Sequence, residues 1–237
     1  MSADTLSAVE IARMIDHTLL KAEATMPQIE KLCAEAREFS FASVCVNSVY
    51  VPFAARLLAE SDVKVCTVVG FPLGASLSEV KVFEAATAID RGAHEVDMVI
   101  HIGALKDEEI SIVHHDIALV VAECHAHNAI CKVIIETALL NDTEKVIACR
   151  VAKDAGADFV KTSTGFSTNG ATVADVRLMR ETVGPELGVK AAGGVRSVAD
   201  ARAMIEAGAT RLGSSSGVVI MRELLGQAAE NKESTNY

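Results

Sequence analysis

The chain has 237 residues, half of them hydrophobic, and its 32 acidic residues against 22 basic ones leave a net charge of −10. That surplus has the wrong sign for displacing counterions from a phosphate backbone, and an aromatic share of 4% with no Trp offers few stacking platforms, so nucleic acid is not an expected partner. The opening segment MSADTLSAVEIARMIDHTLL lacks a basic region followed by an apolar run, and no later apolar stretch is long enough to cross a bilayer, which predicts a soluble, cytoplasmic protein with no membrane partner.

Short β-branched runs alternate with longer segments of helical period along the whole length. From the N-terminus the expected strands are MIDHTL near residue 14, SVCVNS near 43, KVCTVVGF near 64, HEVDMVI near 94, KVIIET near 132, DFVKTSTG near 158, GVKAAGG near 188 and RLGSSSG near 211. Helix starts fall between them. Thr25 caps MPQIEKLCAEAREF with Pro27 in the first turn, and Ser76 begins SLSEVKVFEAATAIDRGA, which stops at Gly92. Asn141 and Asp142 open a helix ending at Gly156, and Ser197 opens VADARAMIEAGA, ending at Gly208. The phrases RGAHEVDMV, DAGADFVKT and EAGATRLGS repeat one junction, a helix closed by glycine and followed by a strand.

Eight such units at about 30 residues each match an eight-stranded α/β barrel in size. The expected fold is therefore a single (β/α)8 TIM barrel over residues 1–237, with a short extra N-terminal helix and a mobile tail over about 231–237. A doubly wound sheet is the alternative, but the chain lacks its G-x-G-x-x-G turn. The six cysteines contain no C-x-x-C pair and sit in apolar runs, as expected of reduced thiols packed as small hydrophobes. The seven histidines form no H-E-x-x-H, and the adjacent His114 and His115 point to different faces of a helix, so no metal is expected. His17 alternates with Asp16 and Thr18 and is expected to face the helices.

In such a barrel the chemistry sits at the C-terminal ends of the strands. Lys161 and Lys190 each end an apolar run on adjacent strands, where lysine is seldom without a task. At roughly 6 Å and an effective dielectric near 20 they repel by about 2 to 3 kcal/mol. With burial added, this predicts that one of them is a neutral amine able to attack a carbonyl. The alternative is that both bridge to carboxylates at the strand ends. Asp97, inside EVDMVI, is the candidate proton shuttle or, compatibly, the salt-bridge partner of Lys190. Asp16 and Thr18 end the first strand, where they orient a substrate hydroxyl or water or else fix the loop. The turns STGF (163–166), AAGGVR (191–196) and LGSSSG (212–217) bring backbone N–H groups and small hydroxyls to the barrel mouth, so the substrate is expected to carry a phosphate.

DHTLL (16–20), EVDMVI (95–100), KVIIET (132–137), FVKTSTGF (159–166) and VKAAGGVR (189–196), in this order, resemble the motifs of the deoxyribose-phosphate aldolase family over essentially the whole chain. The resemblance implies a class I, metal-independent lyase of deoxyribonucleotide catabolism. Such an enzyme cleaves 2-deoxy-D-ribose 5-phosphate reversibly to D-glyceraldehyde 3-phosphate and acetaldehyde, without a cofactor and as a homo-dimer or homo-tetramer. It implies that Lys161 forms the Schiff base, Lys190 perturbs it and Asp97 serves as acid and base. It also implies that Gly165, Gly193, Gly194, Ser215 and Ser216 hold the phosphate, with Thr164 beside them. Some members have lysine where this chain has Phe166, so charge compensation there is expected mostly from backbone dipoles. A terminal tyrosine such as Tyr237 can reach the active site in some members. Two other readings remain open at this point, a transaldolase-like enzyme and a silent barrel that senses a sugar phosphate.

Overall fold

The structure, a computed structural model, describes residues 6–227. Its eight strands, β1 (Ile15–Leu19), β2 (Ser43–Val46), β3 (Lys64–Val69), β4 (Glu95–Val99), β5 (Ile130–Ile134), β6 (Phe159–Lys161), β7 (Gly188–Ala192) and β8 (Arg211–Ser214), pair in parallel in sequence order and close on themselves. This is the (β/α)8 barrel that the alternation predicts. A short helix, α1 (Ala8–Ala12), precedes β1, held by a capping box between Ser7 and Glu10. The expected tail and Tyr237 lie outside the described residues. Among those described, no helix is long and apolar enough to cross a membrane.

The connecting helices follow the local signals closely. Helix α2 (Met26–Phe39) starts at the Thr25 capping box with proline in its first turn, and α3 (Val51–Leu58) follows β2. Helix α7 (Asp142–Asp154) starts at an Asn141 capping box and α9 (Val198–Glu206) at one from Ser197, while Thr172 caps α8 (Val173–Val183). The glycines of the repeated junction, Gly92, Gly156 and Gly208, have φ of 106°, 84° and 111°, a region costly for any residue with a Cβ. One start differs from expectation: α4 (Ser78–Asp90) begins two residues beyond Ser76. The Ser78 hydroxyl donates to Asp116 Oδ1 at 2.8 Å, and the buried Lys81 ammonium donates to Asp116 Oδ2 at 2.5 Å, so a tertiary tie sets this terminus rather than a local cap. Asp116 lies on α6 (Ile110–Ala126), which follows the short α5 (Ile102–Lys106); the last helix, α10 (Gly217–Leu224), follows β8.

The principal apolar core lies between strands and helices, where Val44, Val65, Val96, Val133, Val160 and Val189 are all fully buried. Each contributes about 1.5 to 3 kcal/mol by leaving water. The six cysteines are free and buried. Burial pushes the Cys33 and Cys149 thiols up to about 12. Only thiolates alkylate readily, so Cys33 and Cys149 should stay unmodified by iodoacetamide at pH 8 in the native protein, and all six cysteines should react in guanidinium. Peptide mass mapping reads the outcome, and fast native labelling of either residue would contradict this packing.

Candidate active site

Side chains two residues apart on a strand share a face. Glu95 and Asp97 on β4 do so, and Asp16 (β1), Lys132 (β5), Lys161 (β6), Lys190 (β7) and Arg211 (β8) meet them inside the barrel. The strand register supports this, pairing Asp97 with Lys132, Lys161 with Lys190, and Lys190 with Arg211. Gly213 makes the room, because a Cβ there would lie 3.2 Å from Lys190 Cε and 2.9 Å from Ala192 Cβ.

Asp97 is the hub of the cluster. Its Oδ2 accepts hydrogen bonds from Lys161 Nζ and Lys190 Nζ, both at 2.7 Å, and its Oδ1 accepts from Lys132 Nζ at 2.7 Å and Cys66 Sγ at 3.1 Å. Asp16 forms an ion pair with Lys190 at 2.5 Å and accepts from Arg211 Nη1 at 2.6 Å. Glu95 meets Lys132 at 2.6 Å and Arg211 at 3.0 Å. Three carboxylates thus face four cations, a surplus of one positive charge.

The electrostatics follow from these contacts. Burial alone would raise the Asp97 carboxyl, but Lys132, Lys161 and Lys190 outweigh it and hold it well below the usual carboxylate range. Asp16 is likewise held down against burial, by Lys190, Arg211 and Lys132. Lys190 corrects the expectation of two mutually depressed lysines: burial favours its neutral form, yet Asp16 and Asp97 override burial and keep it an ammonium. Lys132 is held charged in the same way, chiefly by Asp97 against burial. Two groupings, Cys45 with Cys66 and Asp97, and Asp16 with Cys66 and Glu95, bring possible metal ligands within 4.8 Å of one another. Their carboxylates already face ammonium or guanidinium groups, so an added cation would meet a site that is positive before it arrives.

Above the cluster lies a cavity of about 330 Å³, lined by Lys161, Thr18, Thr164, Gly165, Phe166, Gly193, Gly194 and Ser215 among others. Of the cluster, Lys161 alone reaches this lining; Asp97 and Lys190 lie beneath it, fully buried. Gly165, Gly193 and Gly194 have φ of 86°, 84° and 86°, turns that carry backbone to the cavity wall. One sequence-based expectation needs correction. Asp16 is not a strand-end residue but part of the buried cluster. Ser216 follows Ser215 of the lining, its N–H donating to Ser214 Oγ at 2.9 Å. Lys21 and Arg196 also line the cavity. Thr18 lines the cavity, its hydroxyl donating to Asp16 C=O at 2.8 Å, and His17 faces α2, with Nε2 2.8 Å from Glu35 Oε2.

Sequence reasoning overlooked Lys132, Glu95, Arg211 and Cys66. Signals for two were present: Glu95 stands two residues before Asp97, hence on its face, and Lys132 interrupts the apolar run of β5. Arg211 and Cys66 begin or lie within strands in ways that nothing local distinguishes from surface charge or core thiol.

A closed parallel barrel that gathers lysines around a buried carboxylate, and opens one of them onto a cavity at the strands' C-terminal ends, has the architecture of a barrel enzyme. The family model described as DeoC/LacD family aldolase matches residues 10–226, and the chain belongs to this family. It is 65% identical over 214 residues to a deoxyribose-phosphate aldolase of Lysinibacillus sphaericus, covering 90% of this chain and 96% of that one. Over 219 residues it is 61% identical to the enzyme of that name from Enterococcus faecalis, covering 92% and 99%. Among solved structures, the tetrameric deoxyribose phosphate aldolase of Aeropyrum pernix superposes with a TM-score of 0.89 at 34% identity, over 96% of each chain.

Proposed function

We propose that this protein cleaves 2-deoxy-D-ribose 5-phosphate reversibly to D-glyceraldehyde 3-phosphate and acetaldehyde through an iminium at Lys161. The observation that carries the reading is that Lys161 is the one member of the cationic cluster on the cavity wall. The cluster's surplus positive charge lets one proton leave without stranding a buried carboxylate. The freed Lys161 amine attacks the aldehyde carbon of the open-chain sugar, and loss of water gives the iminium. The C3 hydroxyl then passes its proton through an ordered water to Asp97, the C2–C3 bond breaks, and its electron pair moves into the iminium to form an enamine. Glyceraldehyde 3-phosphate leaves, the enamine takes a proton at C2, and water releases acetaldehyde and restores Lys161. Lys190, an ammonium sharing Asp97 Oδ2 with Lys161, supplies charge that keeps Asp97 oriented and returns protons.

The phosphate binds at the far wall, where Gly165, Gly193, Gly194 and Ser215 offer close backbone approach ahead of α10 and where Lys21 and Arg196 add positive charge. No metal or organic cofactor takes part, and the enzyme works in the cytoplasm as a homo-oligomer, a dimer or a tetramer. That assembly agrees with the tetramer named for the A. pernix relative.

Borohydride reduction in the presence of acetaldehyde, followed by peptide mapping, tests the mechanism. A stable adduct on Lys161 is expected, together with full activity after EDTA treatment. An adduct on another lysine, none in an active enzyme, or inactivation by the chelator would sink it. Transfer of a dihydroxyacetone unit in place of acetaldehyde would instead favour a transaldolase.

A further inference from the structure

We infer that Glu136 is a positioning residue that sets selectivity for the phosphorylated end of the substrate, by pinning the turn Thr164–Phe166 from behind; this rests on the aldolase reading above. Glu136 follows β5 and does not line the cavity. Its Oε2 accepts two hydrogen bonds from one residue, the Thr164 hydroxyl at 2.5 Å and the Thr164 N–H at 3.2 Å. The Thr164 oxygen in turn accepts from Phe166 N–H at 3.1 Å. Backbone pairing between the two segments runs as far as Thr137 N–H to Thr162 C=O, at 2.9 Å. Beyond it the carboxylate takes over and fixes the turn whose Gly165 faces open space.

Stability alone gives a poor account of this residue. Glu136 is a non-glycine residue at φ 56°, only 2% exposed, and its Oε1 is buried without a hydrogen-bond partner. A position chosen for the fold would hold glycine or asparagine at that φ, or an apolar group at that depth. What those costs secure is the direction of Thr164. Its hydroxyl proton points to Glu136, so its part in phosphate binding is to shape the turn rather than to donate to the ligand. The sequence expectation of a direct polar contact from Thr164 changes accordingly.

Steady-state kinetics on 2-deoxyribose 5-phosphate and on unphosphorylated 2-deoxyribose test the inference. Glu136→Gly removes the carboxylate while suiting the left-handed backbone. It should lower the ratio of kcat/KM for the phosphorylated over the unphosphorylated sugar about tenfold, mostly through KM, because two bonds to a charged acceptor are lost. Glu136→Gln keeps an accepting oxygen and should bring the ratio back to within about threefold of wild type. Thr164→Val should shift it like Glu136→Gly, and the double variant should be no worse than the more impaired single one. An unchanged ratio, an equal loss on both sugars, or losses that multiply would overturn the inference. Should Glu136→Gly fail to fold, Glu136→Gln and Thr164→Val decide it by the same ratio. A wild type that cleaves neither sugar and traps no acetaldehyde at Lys161 would overturn the aldolase reading itself, whereas an active wild type with unmoved variants overturns only the role of Glu136.

Discussion

Lys161→Leu is expected to lower cleavage of 2-deoxyribose 5-phosphate by at least roughly 10⁴-fold, since it removes the one amine of the Asp97 cluster that reaches the cavity wall and could form the covalent electron sink. Stability should move the other way or stay level. The substitution removes one cation from a cluster that has one too many, leaving three carboxylates facing Lys132, Lys190 and Arg211. An apolar side chain also carries no charge-desolvation cost. A thermal melt alongside the kinetic assay separates the two effects. Retention of more than a few per cent of activity would show that the reacting amine lies elsewhere. A collapse of Tm would show that Lys161 is first a structural cation.

Asp97→Asn is expected to fail on both counts. It leaves Lys132, Lys161 and Lys190 facing a neutral amide, and breaking a buried pair of this kind costs about 3 to 5 kcal/mol. For a chain of this size that lowers Tm by about 6 to 20 °C. Loss of the proton acceptor should reduce kcat by about 10² to 10⁴. The pH dependence has a definite sign. The folded-state value of Asp97 is depressed, so its stabilisation is complete above the ordinary carboxylate value near 3.9 and is lost as pH falls through the folded value. Melting of the wild type between pH 7 and pH 2 should show Tm falling at the acid end. Asp97→Asn should be flatter there, because it has already lost that contribution. A variant with wild-type slope would place the acid sensitivity in Asp16 or Glu95 instead.

The difference between legible and hidden features lies in the range of the interactions that fix them. The capping boxes at Thr25, Asn141 and Ser197 involve residues three apart, so the starts of α2, α7 and α9 can be read directly from sequence. The start of α4 cannot, because Asp116, which ties it, is 38 residues from Ser78. The site divides along the same line. Lys161, Lys190 and Asp97 stand out as charges inside apolar strands, and motif order ties them to one family. Their protonation could not be read in this way: two lysines on adjacent strands suggest repulsion, and only the convergence of Asp16 and Asp97 on Lys190 turns it into a firm cation.

The 237 residues and their alternation thus determined eight strands, their parallel order and the loops that carry the site, because period and caps act within a turn or a strand. A net charge of −10 spread over the chain said nothing of the positive surplus at its centre. Barrel closure decided that. By pairing β1 with β8 it brings Asp16 to Arg211 across 195 residues, and it sets Asp97 between lysines that lie 35, 64 and 93 residues away. Charges so distant along the chain interact only when the fold removes the water between them.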